Sequence, residues 1–500
     1  MRPILGARSA RRGAAGRTRG TGRYNPRFPS FRPSRMHPSR RRERVVCRAA
    51  ALLALGSSAL AATPGWAQSA VPSGPGLALP DEADAPEPPE EAAQARLQGT
   101  YVRQSKPSFA ARYTGPNSLS PQTERSYSAT TTTMLGWRAW TGGELYFNPE
   151  IAQGVPLSRL TGFGGFPNGE LARTSGPEPT LYVARAFVRQ TFGFGGGRQR
   201  VDSDQNQLGG AVDRRRLVVT AGIFALIDVF DDNAYSHDAR TQFMNWSLVT
   251  HGAFDFAADA RGYSRGVAVE WFDRGWAVRV GRFAQPFESN GLALNLALGR
   301  SHGDQIEFER EYALLGEPGK LRLLAYRNRA VMGGFADALA AAAPGDPPDV
   351  ADVRRDRTKL GFGINFEQRL GRWGGAFARA SRHDGRTETY SYTEIDRSVS
   401  GGVLIDGANW GRASDTIGLG AARNGLSAAH RAYLAAGGLG FFLGDGRLNY
   451  RPETLVEAFY SLAVARRAWV TLNLQRVRNP GYNADRGPVN VVGVRLHANF

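Results

Sequence analysis

The chain ends on Val492-Gly-Val-Arg-Leu-His-Ala-Asn-Phe500, where Val492, Val494, Leu496, Ala498 and Phe500 share one face and Gly493, Arg495, His497 and Asn499 the other. Successive side chains of a strand point to opposite sides, so this period of two marks a β-strand with one apolar and one polar face. The pattern recurs upstream. Val470, Leu472 and Leu474 oppose Thr471, Asn473 and Gln475, and Leu360, Phe362, Ile364 and Phe366 oppose Gly361, Gly363, Asn365 and Glu367. Val267, Val269 and Trp271 oppose Ala268 and Glu270, while Trp276, Val278 and Val280 oppose Arg279 and Gly281. Ile306 and Phe308 stand against Glu307, Glu309 and Glu311.

A soluble sheet with one wet face would alternate in the same way. Segment length and number argue for a bilayer instead. Sixteen such segments lie near residues 96–106, 127–137, 142–151, 182–192, 216–225, 265–272, 275–284, 304–312, 319–328, 358–368, 372–381, 414–422, 437–444, 453–464, 468–477 and 489–500. Tilted strands of about 9–11 residues cross a membrane, apolar side out and polar side in. Trp137, Trp140, Tyr146, Phe147, Trp271, Trp373, Trp469 and Phe500 fall near segment ends, as interfacial aromatics do. An open sheet edge cannot face hydrocarbon, so the strands must close. The expected fold class is all-β, a transmembrane antiparallel up-and-down β-barrel of about 16 strands, wide enough for an aqueous channel.

Composition excludes the main alternatives. The 500 residues include 61 glycines without a Gly-X-Y period, which rules out collagen and argues against a helical bundle. After the leader, no apolar run is long enough for a spanning helix. Cys47 is the single cysteine, so neither a disulfide framework nor a cysteine metal site can form. The net charge of +18 suggests nucleic acid, but fifteen arginines against one acid (Glu43) put +14 of it before residue 49. Only +4 remains over the 433 residues after Ala67, too little for a phosphate-binding surface. No nucleic-acid partner is expected.

Arg40, Arg41, Arg42 and Arg44 precede the apolar stretch Ala49–Ala62 and the small residues up to Ala67, the pattern of a cleaved secretory signal. Residues 1–67 read as a basic extension plus signal peptide cut after Ala67, with Met36 as a second candidate start. Residues 68–95, rich in Asp, Glu and Pro, read as a solvated periplasmic linker. Residues 96–500 read as the barrel.

The polar faces carry both charges: Arg185, Arg189, Arg279, Arg322 and Arg495 with Glu270, Glu307, Glu309, Glu367 and Glu457. Mixed signs suit neutral hydroxylated solutes or weak ion selection better than a strict anion filter. One stretch is denser. Asp228, Asp231, Asp232, Asp238, Asp255 and Asp259, with His237 and His251, are too polar for a strand and read as a loop folded into or over the pore. Asp231, Asp232, His237, Asp238 and Arg240 are the constriction candidates within it. Asp231, Asp232 and His237 could also hold a divalent cation such as Mn²⁺, against the alternative that the aspartates simply cap turns. Gly193–Gly197 follows a strand without a helix to receive a phosphate and reads as a loop. Gly262-Tyr-Ser-Arg-Gly266 matches a nucleophile elbow in letters, but an alternating strand follows where a helix is needed. Neither an enzyme nor a cofactor is expected.

Several stretches carry a family resemblance. Leu135-Gly-Trp-Arg-Ala-Trp140 with Glu144-Leu-Tyr-Phe-Asn-Pro-Glu150, Gly162-Phe-Gly-Gly-Phe-Pro-Asn-Gly-Glu170 and Ala184-Arg-Ala-Phe-Val-Arg-Gln-Thr-Phe192 resemble the carbohydrate-selective outer-membrane porin (OprB-like) family. So do Phe230–Trp246, Gly252-Ala-Phe-Asp255, Ala258-Asp-Ala-Arg-Gly-Tyr263 and Gln475-Arg-Val-Arg-Asn-Pro-Gly-Tyr482. The resemblance implies a Gram-negative outer-membrane porin of sixteen strands that admits sugars by passive diffusion. The Asp/His-rich block is also similar to a manganese-porin branch, so a divalent-cation porin stands as the alternative, with a barrel of structural or adhesive role as the third. The expected partners are small hydrophilic solutes, the lipid bilayer and the barrel assembly machinery, the last through the strand ending in Phe500. A homotrimer is among the assembly states considered.

Overall fold

The computed structural model describes residues 89–171, 176–392 and 394–500. The signal segment and the linker as far as residue 88 lie outside them. Sixteen long strands run in chain order: Ala93–Lys106, Glu124–Trp140, Gly143–Val155, Thr180–Gly193, Arg216–Phe224, Ser264–Asp273, Trp276–Pro286, His302–Leu314, Glu317–Met332, Arg355–Arg369, Gly374–His383, Arg397–Asp406, Thr416–Gly425, Glu453–Ala465, Ala468–Arg478 and Val489–Asn499. Each pairs antiparallel with its neighbours, and the first pairs with the last from Gln98↔Asn499 to Ser105↔Val492. Phe500 completes the seam, donating its N–H to the Leu97 carbonyl at 2.8 Å and accepting the Leu97 N–H at 3.1 Å.

The side chains sort in the opposite sense to a soluble protein. Leu472 is 60% exposed while its neighbour Thr471 is 1% exposed. Leu360, Phe362 and Ile364 face out and Asn365 and Glu367 face in; Ile306 and Phe308 face out and Glu307 and Glu309 face in; Val492, Val494 and Leu496 face out and Arg495 and His497 face in. An apolar belt in contact with lipid and a polar wall around a wet interior produce this inversion.

Both chain ends of the barrel lie at one rim, with most of the short connections. Four of these are two residues long, and in two of them, Arg274-Gly275 and Leu315-Gly316, both residues take positive φ (48° and 79°, 54° and 84°). That geometry matches the twist of the flanking strands and explains the glycine at each second position. The other rim carries the long loops, including residues 225–263, 333–354 and 426–452. Short turns face the periplasm, so the long loops face outward.

Three expectations need correction. Residues 437–444 form no strand, because Gly437 and Gly444 take positive φ and Phe442 and Leu443 are buried in a loop core. The sixteenth strand is instead Arg397–Asp406, which the sixteen expected segments do not include; residues 384–392 and 394–396 before it lie at the long-loop rim and 407–415 after it at the opposite one. The first strand also begins at Ala93, inside the segment read as linker, and that linker is not wholly solvated at its end. The Glu91 carboxylate accepts the Gly209 N–H at 2.8 Å, and Arg138 donates to the Glu91 carbonyl.

Candidate permeation constriction

The loop of residues 225–263 turns inward and is tied to strands around the barrel. A buried, irregular backbone needs partners for its N–H and C=O groups. Inward-facing charges of the wall supply them. Glu307 accepts the Asp231 N–H at 2.7 Å, Glu367 the Ala234 N–H at 2.8 Å, and Glu457 the N–H groups of Met244 and Asn245 at 2.6 and 2.9 Å. Arg495 donates to the carbonyls of Ala239, Thr241 and Gln242, and Arg379 to those of Ser236 and Leu248. Trp246, Phe254 and Phe256 of the loop pack with Tyr326 and Tyr392 in one apolar core, with the Trp246 and Tyr392 rings 5.1 Å apart.

The six aspartates of this stretch are all engaged. Asp228 takes a two-pronged bond from Arg185 at 2.7 and 2.6 Å. Asp231, held at φ 58°, accepts from Arg379, Asn365, Thr250 and the His251 N–H at 2.9, 2.5, 2.6 and 2.7 Å. Burial alone would raise its pKa, but the Arg379 guanidinium and the hydrogen bonds from Thr250 and Arg379 outweigh burial and hold it well below the usual carboxylate range. Asp232 lies 3.5 Å from Arg322, and Asp238 accepts the Arg240 N–H and the Thr241 hydroxyl, both at 2.9 Å. Asp255 pairs with Lys359 at 2.6 Å, and Asp259 accepts the N–H groups of Arg261 and Tyr263. His237 donates its backbone N–H to Gln242. Burial pushes the His251 pKa down to about 4, leaving a neutral ring. Asp231, Asp232 and His237 therefore do not converge on a cation, and among the described residues no group of three His, Cys, Asp or Glu could hold a metal ion.

One wall carries a ladder of opposite charges. Arg279 contacts Glu270, Glu307 and Glu309 at 2.9, 3.1 and 3.2 Å; Arg322 contacts Glu309 and Glu367 at 2.6 and 3.1 Å. Strand register makes this possible, since Glu270 and Glu307 lie directly across from Arg279, and Glu309 across from Arg322.

Another part of the lumen is built from arginines stacked on tyrosines. The Arg185 guanidinium lies 5.3 Å from the Tyr263 ring, Arg261 4.5 Å from Tyr182, and Arg189 5.2 Å from Tyr146. Beside them Arg240 bridges Glu170 at 2.8 Å and Glu150 at 3.0 Å, and Glu150 also accepts the Tyr182 hydroxyl. Asp232, with 38% of its side chain exposed, Arg185, Asp228 and Arg189 keep contact with solvent, so this charged surface borders the wet part of the lumen.

Sequence reasoning missed two contributors. Arg379 follows the same period-two rule within Gly374–His383 but passed unremarked. The segment 202–209, between the short strands Arg198–Val201 and Gly210–Asp213, folds in from the short-turn rim. Arg189 donates to the Asn206 carbonyl at 2.9 Å, Gln205 to Gln98 at 2.7 Å, and the Leu208 N–H to the Tyr146 hydroxyl at 3.1 Å. Glycines at Gly193–Gly197 marked the start of this loop, but nothing in its polar letters indicated inward folding. Ser264, at the centre of the elbow-like motif, is buried at the start of a strand and donates its hydroxyl to the Ala284 carbonyl at 2.8 Å, a structural role.

A closed sixteen-strand barrel with an apolar outer belt, a charged inner wall and an inward loop defines an outer-membrane channel. The sequence model of the carbohydrate-selective porin, OprB family, matches residues 118–500. The chain belongs to that family and is an outer-membrane porin for passive passage of small hydrophilic solutes. Among solved structures it is similar to the high-pH structure of Pseudomonas putida OprB, with 17% identity, a TM-score of 0.63, and coverage of 82% of this chain and 94% of that one. It also matches the outer-membrane channel DcaP of Acinetobacter baumannii at 11% identity and a TM-score of 0.45, covering 82% and 98% of the two chains. No curated protein sequence matches it. The family and fold are those of channels.

Proposed function

We propose that this porin passes carbohydrates, and that the arginine–tyrosine patch is where they bind in transit. The observation that carries the reading is Arg185 against Tyr263 and Arg261 against Tyr182, next to the Glu150–Arg240–Glu170 bridge. A sugar offers hydroxyls, which charged side chains can bond in either direction, and a C–H face, which packs on an aromatic ring. Both kinds of group lie side by side here. Neutral solutes pass a wall of paired charges without the cost that unpaired charge of one sign would impose on an ion. The chain has no catalytic part in this reading.

Planar-bilayer conductance of the purified protein tests it. Added maltodextrin should partly block the current in a concentration-dependent way, and millimolar Mn²⁺ should leave it unchanged. A current insensitive to maltodextrin but lowered by Mn²⁺ would overturn the sugar reading. Cleavage after Ala67, delivery to the assembly machinery through the strand ending on Phe500, and a homotrimer belong to the same proposal. N-terminal sequencing, deletion of Phe500 and the size of the unheated detergent complex test these three.

A further inference from the structure

Outside the lumen, an apolar groove of about 350 Å³ opens on the lipid-facing surface between the strands Arg355–Arg369, Gly374–His383, Arg397–Asp406 and Thr416–Gly425. Phe362, Ile364 and Val399 line it together with three exposed arginines, Arg382, Arg397 and Arg423. Arg382 and Arg397 sit at the strand ends that lead into the long loops, level with Phe362, and Arg423 lies two residues deeper, level with Ile364 and Val399. An amphiphile of the outward leaflet would meet the Arg382–Arg397 pair first, and then a level at which apolar side chains and Arg423 lie side by side.

The arginines are arranged in a way that intramolecular packing does not explain. Arg382 and Arg397 stand directly opposite each other in register, a like-charge pair that destabilises a sheet. Arg423 lies diagonal to Arg397, opposite Val399. Among the described residues none of the three forms an ion pair. Arg382 lies 5.8 Å from the Phe362 ring. Arg397 lies across Gly425, where an added Cβ would come within 2.7 Å of its Nε. Three unneutralised cations beside hydrocarbon call for an external anion.

We infer that this groove binds a phosphorylated, multiply acylated glycolipid of the outward-facing leaflet. Arginine matches phosphate with paired N–H donors. Two strand spacings and a two-residue offset separate the Arg382 and Arg423 backbones by about 12 Å. That is wider than a single phosphate and fits a headgroup with two anionic groups, while the groove below takes acyl chains. Filling it would neutralise the Arg382–Arg397 repulsion.

Native mass spectrometry of the detergent-purified barrel, titrated with bisphosphorylated lipid A, tests the inference. The wild type should retain lipid A, and the R382Q/R397Q/R423Q variant should bind it at least tenfold more weakly with unchanged single-channel conductance, which shows that the barrel is folded. Removing both phosphates from the lipid should weaken binding to a similar extent, and phosphatidylglycerol or inorganic phosphate should bind more weakly than lipid A. Equal binding by wild type and a conducting variant, or equal binding of the dephosphorylated lipid or phosphatidylglycerol, would overturn it. Should the triple variant fail to fold, Arg397→Gln alone serves, with weaker binding expected and unchanged binding counting against the site. Conductance and lipid binding are read separately, so this test is independent of which solute passes the pore.

Discussion

Arg379 on the barrel wall and Asp231 on the inward loop meet at 2.9 Å with neither side chain more than 1% exposed, although 148 positions separate them in the chain. The pair does more than neutralise charge. The same guanidinium donates to the carbonyls of Ser236 and Leu248, so one wall residue fixes three points of the loop.

Replacing Arg379 with Ala should therefore release the loop without opening the barrel. A buried carboxylate left without its partner costs about 3–5 kcal/mol. The strand ladder, which does not depend on this side chain, should keep its resistance to unheated detergent. Single-channel recordings should become larger and noisier, and protease should cut within residues 225–263. A quiet trace of wild-type amplitude would show that the loop is held by other contacts alone.

The arginine–tyrosine patch makes a separate prediction. Tyr182 and Tyr263 support Arg261 and Arg185, and the half-buried Tyr182 offers ring surface that a sugar can pack on while the buried Tyr263 ring backs it at 6.1 Å. The double change Tyr182→Leu and Tyr263→Leu should remove about 1 kcal/mol of solute binding, a roughly fivefold weaker maltodextrin block. Conductance in salt alone should change little, because the charged groups remain. Unaltered maltodextrin block would place the binding point elsewhere.

The fold was legible in the sequence wherever alternation was intact, because a lipid-facing position tolerates only apolar side chains and the next position only what water or a loop can satisfy. Arg397–Asp406 escaped notice because Gly401 interrupts the apolar face and Leu404 points inward. Residues 437–444 misled for the converse reason. Leu439, Phe441, Phe442 and Leu443 are apolar, but Phe442 and Leu443 pack inside the loop core, where their N–H groups both bond Glu394 at 2.7 Å. Charges of the lumen could be placed by period two, so Arg279, Glu307, Glu309 and Arg495 were found on the polar wall. Their partners could not. Asp231 looked like a ligand for a cation because nothing local reveals that Arg379 and Asn365 already fill its oxygens.

Protonation of a loop histidine should make the outward rim sensitive to alkali. His430, in the helix Ala428–Ala435, sits 3.2 Å from Asp396 and 3.5 Å from Glu394, with its ring 4.2 Å from Phe335 of another loop. Burial alone would lower its pKa, but the two carboxylates outweigh burial and lift it to about 9. An unfolded histidine titrates near 6.5, so the folded state binds the proton more tightly. Its stabilisation is complete below about pH 6.5 and is lost as pH rises through about 9. Proteolysis of residues 426–452 should speed up between pH 8 and pH 10 in the wild type, and His430→Gln should flatten that dependence. Matching profiles for the two proteins would show that another group governs the rim.

Leu472 and Thr471 provide the sharpest check on which side of the wall faces what. In a soluble protein an exposed Leu472 could become Arg without harm, whereas a buried Thr471 could not. In a membrane barrel the expectation reverses. Leu472→Arg places a charge against hydrocarbon near the middle of Ala468–Arg478 and should cost about 2–4 kcal/mol. Thr471→Ser keeps the hydroxyl that accepts from Arg495 and donates to Ser461, and should leave stability within about 0.5 kcal/mol of wild type. Urea titration of folding into liposomes measures both changes. If Leu472→Arg folds as well as wild type while Thr471→Ser does not, the outward face of this strand does not meet lipid.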